Sequence, residues 1–220
     1  MKIELKKRIY TSLILITLLY LMSINLIILI FSIFIASLFA FFEFFNITNK
    51  IFKKNNFLKL FANVFFVSYV FSFGILFVLF SQLFELKVLI YTCLFICIFS
   101  DIGGLIFGRY FKGKKLTIIS PKKTISGSIG SFLFSIITSY IFTIMTVNLF
   151  SWHKPLVLAI FVSLTCQAGD IFFSFLKRKA KIKDTGNILP GHGGILDRID
   201  GIIIGMPLGI LLTLIFYAAI

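Results

Sequence analysis

Residues 9–45, IYTSLILITLLYLMSINLIILIFSIFIASLFAFFEFF, decide how this chain is folded. A helix needs roughly 20 apolar residues to cross the hydrocarbon core of a bilayer. The run is too long for one span and right for two short ones. Its only polar dent is Ser23 to Asn25, and a tight hairpin is expected there. Outward from it, further apolar segments lie at 57–80, 86–100, 129–150, 156–176 and 202–220. The expectation is therefore an all-α integral membrane protein with about seven transmembrane helices.

The basic residues test that count, because Lys and Arg concentrate in cytoplasmic loops. The chain has 22 of them. All but Lys87 and Lys154 fall in four clusters: Lys2 to Arg8, Lys50 to Lys59, Arg109 to Lys123, and Lys177 to Arg198. With seven spans and the N-terminus inside, every cluster lies on one side. Were residues 9–45 a single span, the cluster at 50–59 would switch sides. The N-terminal basic stretch is read as leading an uncleaved first span, since no small-residue cleavage site follows it.

Composition agrees. Hydrophobic residues make up 59% of the 220 residues, charged ones 14%, and the mean hydropathy is +1.06. Soluble domains carry about 25% charged residues, so this chain cannot cover a water-facing surface, and disorder is excluded as well. A net charge of +14 would point to nucleic acid in a soluble protein. In a membrane protein it first reads as topology, so nucleic acid is not an expected partner. Cys93, Cys97 and Cys166 lie inside apolar runs and make neither a disulfide framework nor a zinc pattern. No repeat or linker is visible. One membrane domain is expected, with N-terminal helices over 1–100 and a catalytic region over 101–220.

The eight acidic residues are placed unevenly. Glu4, Glu43 and Glu85 are scattered. Asp101, Asp170, Asp184, Asp197 and Asp200 each sit at the expected cytoplasmic end of a span or in a cytoplasmic loop. A carboxylate at membrane depth is costly and marks function by default. On a helix, Asp170, Ser174, Lys177 and Arg178 share one face. Without a ligand, they would be an interfacial pair of cations with a partner acid. The segment that follows, KIKDTGNILPGHGGILDRIDG, is the most polar in the chain. Its Pro190, Gly191, Gly193 and Gly194 mark a tight loop around His192, where backbone N–H groups can approach an anion. Asp197 and Asp200 are three apart at the start of the last helix. Two close carboxylates repel unless something positive lies between them, and hard cations such as Mg2+ take carboxylate oxygens while keeping phosphate or water ligands. Asp170, Asp197 and Asp200 are thus the expected metal ligands.

A second polar cluster, read as a loop, runs from Asp101 to Gly127. Its Arg109, Lys112, Lys114, Lys115, Lys122 and Lys123 suit a polyphosphate, with Ser120 and Thr124 adding hydroxyls. The plainer alternative is contact with anionic lipid headgroups. Gly108-RYFK-Gly113-Lys114 imitates the start of a phosphate-binding loop, but Lys115 replaces the required hydroxyl residue and no strand precedes it. Gly201, Gly205 and Gly209 form a small-residue stripe that reads as close helix packing and permits a homodimer. Trp152 and His153 read as anchors at the external boundary.

The stretch SFLKRKAKIKDTGNILPGHGGILDRID over residues 174–200 resembles the signature of the phosphatidate cytidylyltransferases, or CDP-diglyceride synthases. Ser174, Lys177, Arg178, Lys183, Asp184, Pro190, His192, Gly193, Gly194, Asp197, Arg198 and Asp200 match it. Asp101, Gly108-Arg109 and Ser120-Pro121-Lys122-Lys123-Thr124 resemble a second family region, and Glu43-Phe44 a weaker one. Ser126 stands where the family often has Glu, and the part before Asp101 is shorter, with fewer spans. The resemblance implies transfer of the cytidylyl group from CTP to phosphatidate, giving CDP-diacylglycerol and pyrophosphate, at the cytoplasmic face of a bacterial inner membrane. It implies Mg2+, with a monovalent cation as a second ion left open. The implied catalytic residues are Asp170, Lys177, Arg178, Asp184, His192, Asp197, Arg198 and Asp200. The implied substrate-binding residues are Ser120, Lys122, Lys123, Thr124, Ser174, Gly193 and Gly194. Other CTP-using lipid enzymes (a polyprenol-type kinase, or a cytidylyltransferase for ether lipids) remain open, and so does a transporter, though no charged group lies mid-span along a pathway.

Overall fold

The computed structural model describes residues 2–121, 123–146, 153–188, 190–191 and 193–218. Among them are seven helices: α1 (Lys2–Ile24), α2 (Leu26–Ile51), α3 (Asn56–Phe80), α4 (Phe84–Tyr110), α5 (Ile125–Thr146), α6 (His153–Lys179) and α7 (Leu196–Ala218). Five of them, α2 to α6, are long and apolar enough to cross a membrane, and Ile9–Ile24 of α1 is a shorter apolar helix. The chain is an all-helical membrane protein. In α3, Phe65 is 66% exposed while its neighbour Phe66 is 6% exposed, so the same side chain serves the core and the outer surface. That all-round apolarity is what lipid contact permits and water does not.

The chain gathers into two compact units. One comprises Met1–Leu79 with Leu176–Ile199, the other Phe80–Phe175 with Asp200–Ile220. The sequence division at residue 100 falls inside α4.

In the first unit, the expected turn is made at Asn25. Its backbone is extended (φ −128°, ψ 116°), and its side-chain oxygen accepts from the N–H groups of Ile27 and Ile28. This is an N-cap, for which Asn is among the best residues. Two distant contacts show that the chain doubles back there. Thr11 of α1 donates to the Pro190 carbonyl at 2.9 Å, and Glu43 of α2 accepts from Leu196 N–H at 2.9 Å. Thr11, midway along α1, and Glu43, in the second half of α2, thus meet the same loop. Between α2 and α3, the Phe44 and Phe66 rings stack with centroids 3.9 Å apart, and Thr48 donates to Asn63 at 2.9 Å. A buried polar pair of this kind holds helices together where lipid offers no hydrophobic drive.

In the second unit, α4 corrects the expected loop from Asp101 onward: the helix continues to Tyr110. Its glycines are packing positions. A Cβ on Gly103 would collide with the Gly130 carbonyl, and one on Gly130 with Phe107. Backbone-to-backbone contact with α5 outweighs the low helix propensity of glycine. Polar side chains add links, with Ser100 and Ser163 hydroxyls 2.9 Å apart and Ser128 donating to Gln167 at 2.6 Å. The stripe in α7 packs as expected: a Cβ on Gly205 would stand 3.0 Å from Cys166 Cβ, and one on Gly209 2.6 Å from Val162 Cγ2. All three cysteines are buried.

Candidate active site

The polar chemistry of the first unit begins where α6 stops. Ile182 N–H bonds to the Lys177 carbonyl and Lys181 N–H to that of Arg178, both at 3.0 Å. Lys181 lies in the left-handed region at φ 57°. This is a Schellman ending. It leaves Lys177 and Arg178 in the last turn, where the helix dipole favours cations.

Lys177 Nζ then pairs with Asp197 Oδ1 at 2.8 Å, and the two side chains keep only 13% and 8% of their exposure. The other oxygen, Asp197 Oδ2, accepts from Thr185 N–H at 2.8 Å and Gly194 N–H at 3.1 Å. Burial alone would push this carboxyl up. The Lys177 ammonium and the Thr185 and Gly194 N–H groups outweigh it and hold Asp197 below the usual carboxylate range. The glycines of the loop were expected to bring backbone N–H groups to an anion. Gly194 does so, and the anion is the protein's own Asp197.

Glu43 closes the loop from the other side. It is 3% exposed. Its Oε1 accepts from Ile195 N–H at 3.0 Å, and its Oε2 from Thr185 Oγ1 at 2.6 Å and Leu196 N–H at 2.9 Å. A Cβ on Gly194 would collide with both Thr185 Oγ1 and Glu43 Oε2, so only glycine lets the carboxylate reach the start of α7. Gly193 is at φ +85°, with Asp197 Oδ2 2.9 Å from where its Cβ would be. In the sequence Glu43 stands among the scattered acids and, with Phe44, in the weaker of the family-like regions. An acid inside the apolar run of residues 9–45 was the available signal.

The second unit holds the other half of the expected residues. Beyond Tyr110 the chain forms a short hairpin, with Leu116 N–H bonded to the Lys123 carbonyl at 2.8 Å and Ile125 N–H to that of Lys114 at 3.0 Å. Thr124 caps α5, its Oγ1 accepting from Gly127 N–H at 3.1 Å. Ser126 donates to the Lys112 carbonyl and lies 3.0 Å from the Thr124 hydroxyl, so it ties the hairpin's two ends. Ser120 accepts from Lys123 N–H through its carbonyl at 3.0 Å. Lys123 Nζ pairs with Asp170 Oδ2, the side chains keeping 28% and 15% exposure. Asp170 Oδ1 faces Gly201, where a Cβ would stand 2.6 Å away. Asp200 Oδ1 accepts from Gly201 N–H at 3.1 Å.

The structure thus brings Lys177, Asp197, Gly193 and Gly194 together in one unit, and Lys123, Asp170 and Gly201 of α7 together in the other. Ser174 is half-buried one turn after Asp170, while Arg178, Asp184 and Arg198 are exposed. His192, Lys122 and Trp152 lie outside the described residues. Among the described residues, no group of three or more His, Cys, Asp or Glu is placed to hold a metal ion. Of the three expected ligands, Asp170 has one oxygen paired with Lys123 and the other against Gly201, and Asp200 accepts from Gly201 N–H. Both are carboxylates, the ligand type that Mg2+ takes while keeping phosphate or water ligands. Asp197 has both oxygens engaged by Lys177 and two N–H groups.

A family model described as the cytidylyltransferase family matches residues 2–216. Curated proteins called phosphatidate cytidylyltransferase are similar to this chain. The one from Rickettsia felis is 38% identical over 127 residues, 54% of this chain and 55% of that protein. The one from Staphylococcus haemolyticus is 44% identical over 111 residues, 50% of this chain and 42% of that protein. The one from Bacillus subtilis is 41% identical over 106 residues, 46% of this chain and 39% of that protein. The chain spans about half the length of the curated relatives it matches.

Proposed function

This chain belongs to the cytidylyltransferase family, and we propose that it transfers the cytidylyl group of CTP to phosphatidate in phospholipid biosynthesis. An oxygen of the phosphatidate phosphate forms a bond to the α-phosphorus of CTP. The bond from that phosphorus to the bridging oxygen of the β-phosphate breaks, and pyrophosphate leaves with the electron pair. The products are CDP-diacylglycerol and pyrophosphate. A phosphate monoester is already a nucleophile, so no side chain has to supply one. The protein must position two polyanions and offset their charge.

The observation that carries this reading is the fixed Lys177–Asp197 pair at the base of a closed polar loop. It holds one cation in place, with Arg178 and Arg198 exposed to bind phosphate oxygens. Lys123, Ser120 and Thr124, with Lys122, are assigned to the nucleotide or the lipid phosphate. Asp184 is assigned an orienting role and His192 the shaping of the loop. Asp170 and Asp200 are the residues that would hold Mg2+, which when bound offsets charge on the phosphates and the leaving pyrophosphate. We further place seven spans in the bilayer, with the N-terminus and the polar clusters cytoplasmic. Reporter fusions at Lys54, Lys115 and Lys181 are expected to read cytoplasmic at all three positions, and an external reading at any one breaks that topology.

Radiolabelled CTP supplied with phosphatidate in detergent tests the reaction. CDP-lipid with released pyrophosphate is the expected outcome. A phosphorylated lipid with CDP would make the protein a lipid kinase instead, and no turnover would remove the enzymatic reading.

A further inference from the structure

We propose that Glu43 is a positioning residue for this reaction: a carboxylate in α2 that holds closed the loop carrying the residues of the signature. The inference rests on the proposed cytidylyl transfer for its functional arm and on the first unit's geometry alone for its structural arm. Glu43 is buried, and three donors converge on it from one loop, at positions 185, 195 and 196. Two of them are the N–H groups at the start of α7, which have no partner within the helix itself. An anion at a helix N-terminus is favoured by the dipole as well. Charge-assisted bonds of this kind are about twice as strong as neutral ones.

Glu43 and Asp197 divide the same backbone between them. Asp197 takes the N–H groups of Thr185 and Gly194, and Glu43 takes those of Ile195 and Leu196 together with the Thr185 hydroxyl. Thr185 is therefore held from both sides. Losing Glu43 frees the loop on one side and leaves Asp197, and through it Lys177, with a partner that moves. Thr11, bonded to Pro190, adds a weaker tie from α1. The first two helices thus have a task besides anchoring in lipid: they set where the signature loop stands.

The test uses the full chain in detergent, with Glu43→Gln and Glu43→Asp variants. Glutamine keeps the size but presents an NH2 group to donors, so one side of the contact must break. Hydrogen exchange at the Ile195 and Leu196 amides is expected to rise about tenfold or more in Glu43→Gln, with exchange in α4 and α5 unchanged. Turnover is expected to fall by a similar factor at unchanged protein content, and Glu43→Asp to recover part of both. Unchanged exchange at these two amides overturns the proposal. So does a uniform rise across all helices, which would make Glu43 a general stabiliser. The exchange arm needs no substrate, so loosened amides in a protein that never turns over CTP would remove the proposed reaction while leaving Glu43 as the residue that holds the loop.

Discussion

Among the described residues, two lysine–aspartate pairs have the same composition and different consequence. Lys177–Asp197 keeps 13% and 8% side-chain exposure, and every oxygen of its acid is engaged. Lys123–Asp170 keeps 28% and 15%, and the other oxygen of its acid lies against Gly201. The first pair organises backbone. The second links one acid oxygen to the hairpin before α5, and under the proposed function its lysine and acid are the ones that meet phosphate and cation. Residue type and spacing make the two acids look equivalent, but their surroundings separate them.

That contrast can be broken from either side. On stability, the largest effect is expected from Asp197→Asn, which strands Lys177 in a largely buried position and weakens two backbone contacts. Removing one partner of a buried pair costs about 3–5 kcal/mol, and the remaining exposure reduces this to about 2–3 kcal/mol, read as a lowered midpoint of thermal unfolding. Gly194→Ala comes next. Its Cβ meets Thr185 and Glu43, so overpacking of about 1–3 kcal/mol is expected, together with faster exchange of the loop amides.

Acidification probes the same pair without mutation. Asp197 is held below its ordinary value, so its contribution is fully present above the unfolded carboxylate pKa of about 3.9. It is lost as the pH falls through the lower folded value. Loop exchange corrected for intrinsic rates should be flat from neutral pH down to about 4 and rise only below it. A rise that begins at pH 6 would mean that a group other than Asp197 sets the opening of the loop. The smallest effect is expected from Lys123→Gln. Its pair is the more exposed one, so unfolding should change by about 1 kcal/mol or less, while the KM for one of the two phosphate substrates rises.

Much of this was legible in the sequence where the cause is local. Asn25 breaks the long apolar run because its side chain caps the helix after it, and a polar residue in an apolar run shows that. The glycine stripe of α7 reads correctly because small residues at helical spacing have one common use in a membrane. Asp101 to Tyr110 reads wrongly as loop, since Gly103, Gly104 and Gly108 disfavour helix until α5 packs against them. Glu43 was legible only as a weak family resemblance, for a different reason: its partners are 142 to 153 residues away in the chain. No spacing rule connects them, and only folding brings the carboxylate to the start of α7.

The division of labour between the two acids is tested most directly by Asp170→Asn, measured for turnover of CTP and phosphatidate and for loop exchange in the same preparation. The account predicts a loss of about a hundredfold or more in turnover, the scale of a lost electrostatic stabiliser, with native exchange at the Thr185 and Gly194 amides. Near-normal turnover in that variant, or a loop that opens with it, would contradict the account.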